Sequence, residues 1–519
     1  MIAAMNQIPI RSNARQAFGA SAIFAVAAFA LAGVHGVSAA ETSASPAQED
    51  RMPNIVYLFA DQLRASAMGY TGNPDVRTPN IDRLADESLN LRNAVAVAPV
   101  CTPYRAALLT GRYPTSTGMF LNDLYLPAEE LTMAEIFAEA GYTTGYIGKW
   151  HLDGHGRAAY IPPERRQGWQ FWKAAECDHD NYQSHYFTGV SDDRQHWEGY
   201  DAFAQTRAAQ EYIRAQADDG RPFVLMVSYG PPHPASKPAP EEFRALYPED
   251  RIEPPPNVPD EKLAEARRVL HHYYAHCTAL DRCVGDLLKT LDETGLSDNT
   301  IFVFTSDHGG MLWSHGLRQN WKQVPWSESA LVPLLLRFPA LHGKKAREID
   351  TPLNTTDILP TLLGLTGVDV PGTVEGEDLS PLLRNEREQP DRAALYMSVA
   401  PFVGQGDPYR AIRTSRHTYV RGLEGPWLLF DDLEDPYQMD NRIDKPEHAA
   451  LRQELDKRLQ TELDRIGDDF RKPEQYLNQW GYQVDEQRRH IPYTHTPRQP
   501  QSPRAIPHPD RDGLHFQRP

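Results

Sequence analysis

The stretch Asn54-Ile55-Val56-Tyr57-Leu58-Phe59-Ala60, closed by Asp61-Gln62, decides the fold. It is a continuous apolar run that stops at a carboxylate, the pattern of a strand buried on both faces. Three further runs repeat it. Tyr142 to Gly148 ends at Lys149-Trp150-His151, Phe223 to Ser228 at Gly230-Pro231-Pro232-His233, and Ile301 to Ser306 at Asp307-His308-Gly309. Leu331 to Phe338 reads as a fifth strand, and Leu89 to Val97 as a strand leading into the loop before Cys101. Helical patterns fall between them: Thr78-Pro79-Asn80 through Leu84 to about Ser88, Leu131 to Ala140, Phe203 to Ala217, Glu261 to Thr294 and Asp357 to Leu365. Strands alternating with helices predict an α/β fold on a large, mostly parallel sheet sandwiched by helices.

In open α/β sheets, ligands bind outside the carboxyl ends of the strands. Asp61, Lys149, His233 and Asp307 close four separate strands, so residues far apart in sequence are expected on one rim. Asp61, Gln62, Asp307 and His308 form an oxygen-rich set with one imidazole. It suits a hard divalent cation such as Ca²⁺ or Mg²⁺, with the imidazole leaving Mn²⁺ or Zn²⁺ open. Lys149, His151, His233 and Lys322 add two cations and two titratable imidazoles, a set that can hold an anionic ester and protonate a departing oxygen.

One more stretch points at this rim: Val100-Cys101-Thr102-Pro103-Tyr104-Arg105, running to Thr110-Gly111-Arg112. Thr102 is placed to cap a helix, Pro103 fits its first turn and Gly111 its exit. Cys101 then sits at the positive helix end with Arg105 one turn on, where a thiol has a lowered pKa. The other cysteines, Cys177, Cys277 and Cys283, form no disulfide framework. Cys277 and Cys283 lie six residues apart on one helix, too far to bridge, and read as small core residues.

The 519 residues allow two domains and a large core. Residues 53–385 carry the site residues. From about residue 386, short strands at Leu395 to Met397, Tyr409 to Thr414, Thr418 to Arg421 and Trp427 to Phe430, with a helix from Glu447 to Ile466, predict a smaller α+β domain on an antiparallel sheet, ending near 484. Residues 485–519, rich in Pro, Gln, Arg and His, read as an extended or disordered tail. The formal net charge of −17 argues against a nucleic-acid partner, while leaving room for a local cationic pocket. The first 40 residues hold no acid, two arginines (Arg11 and Arg15), an Ala-rich apolar run and the small-residue exit Val37-Ser38-Ala39-Ala40. They read as a secretory signal peptide, followed by a polar linker over 41–52. No later segment is apolar enough to span a bilayer. The mature protein is expected to be periplasmic or secreted and free of the membrane.

Taken together, Cys101-Thr102-Pro103-Tyr104-Arg105 with Thr110-Gly111-Arg112 resembles the sulfatase signature, C-x-P-x-R followed by T-G-R. The resemblance runs from about Asn54 to Phe430. It includes N-I-V-Y-L-F-A-D-Q, T-P-N-I-D-R-L-A, G-Y-I-G-K-W-H, P-P-H, T-S-D-H-G and the late F-D-D-L-E-D-P-Y. It implies an alkaline-phosphatase-like fold. It also implies conversion of Cys101 to Cα-formylglycine by a formylglycine-generating or sulfatase-maturing enzyme. One divalent cation, Ca²⁺ with Mg²⁺ or Mn²⁺ as alternatives, would be held by Asp61, Gln62, Asp307, His308 and the modified Cys101. The implied mechanism is attack of the hydrated aldehyde on sulfur. Lys149, Lys322 and Arg105 would neutralise the sulfate oxygens, His233 would protonate the departing alcohol, and His151 would take the proton that lets sulfate leave. A plain thiol lacks the second hydroxyl this release needs. Many members carry Asp where Gln62 stands, Asn where His308 stands, and Ser or Cys where Tyr104 stands. The Gln–His pairing also occurs in the superfamily among phosphonate and phosphate ester hydrolases.

Residues 153–200, aromatic and polar with little periodicity, read as an active-site insertion rather than core. With the loop around residue 320 they offer His155, Arg165, Trp172, His179, Tyr182, Arg318 and Trp321 as candidate substrate contacts. Aromatic rings with interspersed charges suit a sugar, so the expected substrate is a sulfated polysaccharide or oligosaccharide. Two other readings stand beside it: a phosphonate monoester or phosphodiester hydrolase, and an inactive polysaccharide-binding homologue.

Overall fold

Side chains alternate along the Asn54–Asp61 strand, and both faces are buried. Ile55, Tyr57 and Phe59 enter one hydrophobic core; Val56, Leu58 and Ala60 enter another. A strand covered on both sides must lie inside a sheet packed between helices. The computed structural model describes residues 51–234, 237–402 and 404–484 and bears this out. The signal peptide, the linker through residue 50 and the tail from 485 lie outside the described residues.

The main sheet has ten strands. At its centre Asn54–Asp61 pairs in parallel with Phe223–Pro232 on one side and Thr300–Ser306 on the other. Thr143–Lys149 adds in parallel to Phe223–Pro232, and Phe171–Ala175 adds in parallel beyond it. Helices Cys101–Thr110, Met133–Glu139 and Ile358–Thr366 fill the core on one face. Helices Pro79–Asp86, Asp201–Asp219 and Leu263–Glu293 fill the other.

Several expected boundaries move, each for a local reason. The fifth strand is only Leu334–Arg337, and it runs antiparallel to Thr300–Ser306, so the sheet is mixed. The strand read over Leu89 to Val97 breaks into Leu89–Leu91 and Ala94–Val95, which join different sheets. Residues 153–200 are not simply an insertion. Phe171–Ala175, His185–Thr188 and Gln195–His196 extend the main sheet to its edge. Their short lengths hid the period-2 signal.

Ala394–Ser398, Tyr409–Arg413, His417–Gly422 and Gly425–Asp431 form the expected antiparallel sheet in simple up-and-down order. Helix Ala449–Ile466 packs on it, and helix Pro473–Trp480, which had no clear signal, follows. This sheet is tied to the rest of the chain by buried bonds, among them Met397 N–H to Val97 O at 2.8 Å and Arg413 Nε to Asn93 Oδ1 at 2.8 Å. All four cysteines are free and buried, and no described helix is long and apolar enough to cross a membrane.

Candidate active site

Strand register brings the predicted rim together. Ala60 pairs with Ser306, so Asp61 and Asp307 leave adjacent strands side by side. Asp61 in turn pairs with Pro232, the residue before His233. Gly148 pairs with Ser228, which sets Lys149 beyond them. Ser306 locks the two central exits: its hydroxyl donates toward Ala60 O and His308 O and accepts Leu63 N–H at 2.9 Å.

Cys101 opens helix Cys101–Thr110. The cap residue is Val100, in extended backbone, and no side chain caps the helix. Thr102 is not the cap; its hydroxyl donates to His151 O at 2.9 Å, tying the helix start to the next strand exit. Gly111 ends the helix in the left-handed region, as its sequence position predicts. The Cys101 Sγ lies 3.4 Å from His308 Nε2 and 3.5 Å from both Lys149 Nζ and Lys322 Nζ. One ligand atom each from Asp61, Cys101, Asp307 and His308 falls within 4.8 Å of the others, and all four residues are buried.

Several contacts fix these donors. His308 Nδ1 faces Gly309 O at 2.7 Å, which leaves Nε2 for the cluster. Gln62 sits at φ 62°, where its N–H donates to Asp307 Oδ1 at 3.0 Å. Its Oε1 accepts from Lys322 at 3.2 Å, and its Nε2 has no protein partner. Gly310 leaves room for this amide, since a Cβ there would come within 2.5 Å of its nitrogen and displace the side chain. Like-charged carboxylates and an imidazole nitrogen crowded in a dry site, with the Gln62 amide oxygen beside them, are what a divalent cation would satisfy. The residues therefore fit one.

Arg105 is fully buried; its terminal nitrogens meet Asp307 Oδ2 at 3.0 Å, and Lys149 O and Ser228 Oγ at 2.7 Å each, while its Nε has no hydrogen-bond partner among the described residues. Its guanidinium orients a carboxylate and two strand ends. Burial would raise the Asp61 carboxyl, but Lys149, His233, Lys322 and Arg105 outweigh it and hold it well below the usual range. Burial and Asp61 would raise the Cys101 thiol, yet Lys149, Lys322 and His308 pull it well below an ordinary cysteine. Asp307 is raised by burial and by Asp61 beside it.

The two imidazoles diverge. His233 is pushed down to about 3 by burial and by Lys322, and its ring stacks on His179 at 3.9 Å. Burial opposes charge on His151 as well, but Cys177, Asp123 and Cys101 lift it to about 10. His151 stands at φ 58°, with Nε2 2.6 Å from Asp123 Oδ1 and Nδ1 making no hydrogen bond.

Residues the sequence reading passed over support this geometry. Asp123 holds His151 and is itself bound by Arg157. Glu176 accepts N–H bonds from Leu152, Asp153 and Gly154 at 2.9–3.2 Å, while its carbonyl takes His151 N–H at 2.7 Å. That carboxylate therefore shapes the loop carrying His151. Glu176 closes the Phe171–Ala175 strand, so the strand-exit rule would have found it had that strand been read. Asp123, in a loop with no such pattern, gave no signal.

Of the candidate substrate contacts, His179 reaches the centre through His233, and Arg318 and Trp321 lie on the loop that carries Lys322. Arg318 is exposed and Trp321 half-buried. His155 and Arg165 both pair with Asp153, at 3.1 Å and 2.6 Å. One candidate, Trp172, is structural instead. Trp172 is buried in the core, stacked on Tyr146 at 5.5 Å, because its strand joins the sheet. Tyr182 packs on Tyr200 at 5.6 Å against the second core.

Residues 53–368 match the sulfatase family model. The chain belongs to the sulfatase family. This sulfatase also matches, over residues 316–465, the family described as N-sulphoglucosamine sulphohydrolase, C-terminal. It is 48% identical over 447 residues to an ulvan-active sulfatase of Formosa agariphila, covering 86% of this chain and 88% of that protein. It is 31% identical over 487 residues to an endo-4-O-sulfatase of Bacteroides thetaiotaomicron, covering 81% and 94%. A solved Bacteroides thetaiotaomicron protein, described with a genetic locus for the metabolism of multiple glycosaminoglycans, superposes with a TM-score of 0.74 at 30% identity, over 82% of this sulfatase and 99% of that chain. The fold is thus the alkaline-phosphatase-like fold of sulfatases. Membership implies a formylglycine made from a cysteine and a bound metal, and the buried Asp61, Cys101, Asp307 and His308 are the residues available for them.

Proposed function

We propose that this sulfatase is exported and removes sulfate from a sulfated polysaccharide or its oligosaccharides. The observation that carries the reading is one buried cluster: four potential metal ligands within 4.8 Å, with two lysines each 3.5 Å from the Cys101 sulfur. The ulvan-active and endo-4-O-sulfatase relatives support a carbohydrate substrate, and the leader over residues 1–40 supports export.

Asp61, Gln62, Asp307 and His308 would hold the cation, with Ca²⁺ favoured by the oxygen-rich donors. Cys101 is the residue a maturing enzyme converts; its aldehyde, once hydrated, supplies a nucleophilic oxygen and a second hydroxyl for release. Lys149 and Lys322 flank the position where ester oxygens would sit, and they neutralise charge there without reorganisation. Arg105 holds Asp307 and adds its positive charge beside them. His233, neutral in the empty pocket, gains proton affinity when an anionic ester lies beside it, and it then donates to the departing alcohol oxygen. His151 is held by Asp123 at 2.6 Å; with its Nε2 proton passed to that carboxylate, it takes the proton of the second hydroxyl in the release step.

Gln62 and His308 favour a second reading, a phosphonate monoester or phosphodiester hydrolase. Rates on paired aryl sulfate and aryl phosphonate esters separate the two. The proposal expects the sulfate to dominate, and a dominant phosphonate rate would overturn it.

A further inference from the structure

Beside the catalytic rim lies an open groove of about 490 Å³. Its walls come from the elements that build the centre. Pro232 is the register partner of Asp61. Tyr273 donates its hydroxyl to Gln62 O at 2.7 Å and accepts Arg64 N–H at 2.9 Å. Leu312 and Trp313 follow His308 on the loop that returns at Lys322. The groove therefore shares its walls with the strand exit at Pro232 and with the loop that carries Lys322.

The lining has the character of a sugar site. Tyr273 and Pro232 give an apolar floor, and Trp313, half-buried, carries Lys262 over its ring at 5.0 Å. Arg268 is exposed and has no hydrogen-bonded acid among the described residues. His272 lines the groove with a buried Nδ1 that has no hydrogen bond among the described residues, and burial with His271 and Arg244 lowers its pKa. The acid in the lining, Glu265, is engaged by Lys262 at 3.4 Å, and Lys237 is engaged by Asp180 at 2.9 Å. Arg268 shares Glu265 only at longer range, so a guanidinium with no ion pair among the described residues lines the groove of a protein whose net charge is −17. Such a site selects an anion against the global field.

We infer that this groove is a subsite for a neighbouring sugar that carries its own negative charge, a carboxylate or a second sulfate. Arg268 recognises the anion and Trp313 covers the ring face. The inference rests on the carbohydrate sulfatase reading and narrows it from sulfated glycans in general to polyanionic ones. The fork of an arginine suits the planar pair of oxygens on either group, and an aromatic face suits the apolar side of a pyranose.

The test uses the full, matured chain and four probes. These are 4-nitrophenyl sulfate, a sulfated tetrasaccharide with a uronate beside the scissile residue, the same tetrasaccharide after carboxyl reduction, and a version with a second sulfate in place of the uronate. The wild type is expected to prefer one or both anionic tetrasaccharides over the reduced one by about tenfold in kcat/KM, the size of one good charged contact. The two anionic arms identify which group the subsite takes. Arg268→Ala should cut the ratio of kcat/KM on the preferred tetrasaccharide to that on 4-nitrophenyl sulfate by about tenfold, mainly through KM, and Arg268→Lys should restore part of it. Trp313→Ala should lower the same ratio for charged and reduced tetrasaccharides alike. Equal rates on charged and reduced tetrasaccharides, or a ratio unmoved by Arg268→Ala, overturns the inference while aryl sulfate turnover still supports the catalytic reading. Loss of aryl sulfate turnover in the wild type overturns both.

Discussion

Buried charge occurs in two regions of this sulfatase, and the two are built on opposite terms. In the C-terminal sheet Arg410 is fully buried, yet its donors are met by Asp468, Tyr476, Ser398 O and Tyr409 O, and its face lies over Phe470 at 4.6 Å. On the rim of the main sheet Asp61, Asp307 and Cys101 crowd together, Gln62 Nε2 is orphaned, and two lysines converge on one sulfur. The first region is a closed ion pair that holds a fold together. The second is a cluster that fold stability alone would not select, because like charges in a dry site repel. Convergence with unmet valence marks a site; buried charge by itself does not.

The sharpest break of this comparison comes from exchanging the effects. Asp307→Asn and Lys322→Ala should each cut turnover by roughly a thousandfold or more, the scale of removing a preorganised electrostatic group. Their thermal midpoints should stay near wild type, as read by calorimetry beside an ester assay. Arg410→Ala should do the reverse. Stranding Asp468 should cost about 3–5 kcal/mol of stability, measured by denaturant unfolding, while the folded fraction keeps its specific activity. A rim variant that unfolds, or an Arg410→Ala variant that folds well but is inactive, would erase the distinction.

Asp201 sharpens the comparison from a third side. It is buried with one oxygen bonded to Ser184 at 3.0 Å and the other unpaired, and burial raises its carboxyl to about 7. The folded state therefore holds this proton more tightly than the unfolded chain. Native protein binds more protons between about pH 4 and 7, so the Asp201 contribution to stability falls as pH rises through that window. Asp201→Asn should remove that slope. Relative to wild type it should gain on the order of a few kcal/mol at pH 8 and little at pH 4. Calorimetry across pH reads it, and an unchanged slope would mean that Asp201 finds a partner in solution.

The smallest expected effect concerns the loop of His151. Glu176→Gln keeps the shape but loses an acceptor for three consecutive amides. It should lower kcat by about tenfold with little change in KM, since the residue positions a group rather than binding substrate. Equal losses in kcat and stability would make the role structural.

The legibility of the molecule follows the same divide. The central strands could be read because burial on both faces removes every charged residue until the exit, and the exits then stand out as Asp61, Lys149, His233 and Asp307. The edge strands Phe171–Ala175 and His185–Thr188 could not, because partial exposure leaves them mixed in composition. Without the first of these strands, Trp172 reads as a substrate contact although it serves packing, and Glu176 gives no signal. Helix spacing puts Arg105 one turn from Cys101; its bonds to Asp307 and Ser228 on neighbouring strands are set by tertiary register and carry no local signal. Asp123 lies in a left-handed loop at φ 67° that no spacing announces.

The central claim is that the convergence on Cys101 exists to hold an aldehyde and not a thiol. Mass spectrometry of the Cys101 peptide, from enzyme purified out of its native host and active on an aryl sulfate, tests this directly. The account predicts the aldehyde mass, with sulfur exchanged for oxygen and two hydrogens lost. An intact thiol on enzyme that turns over the ester would contradict it.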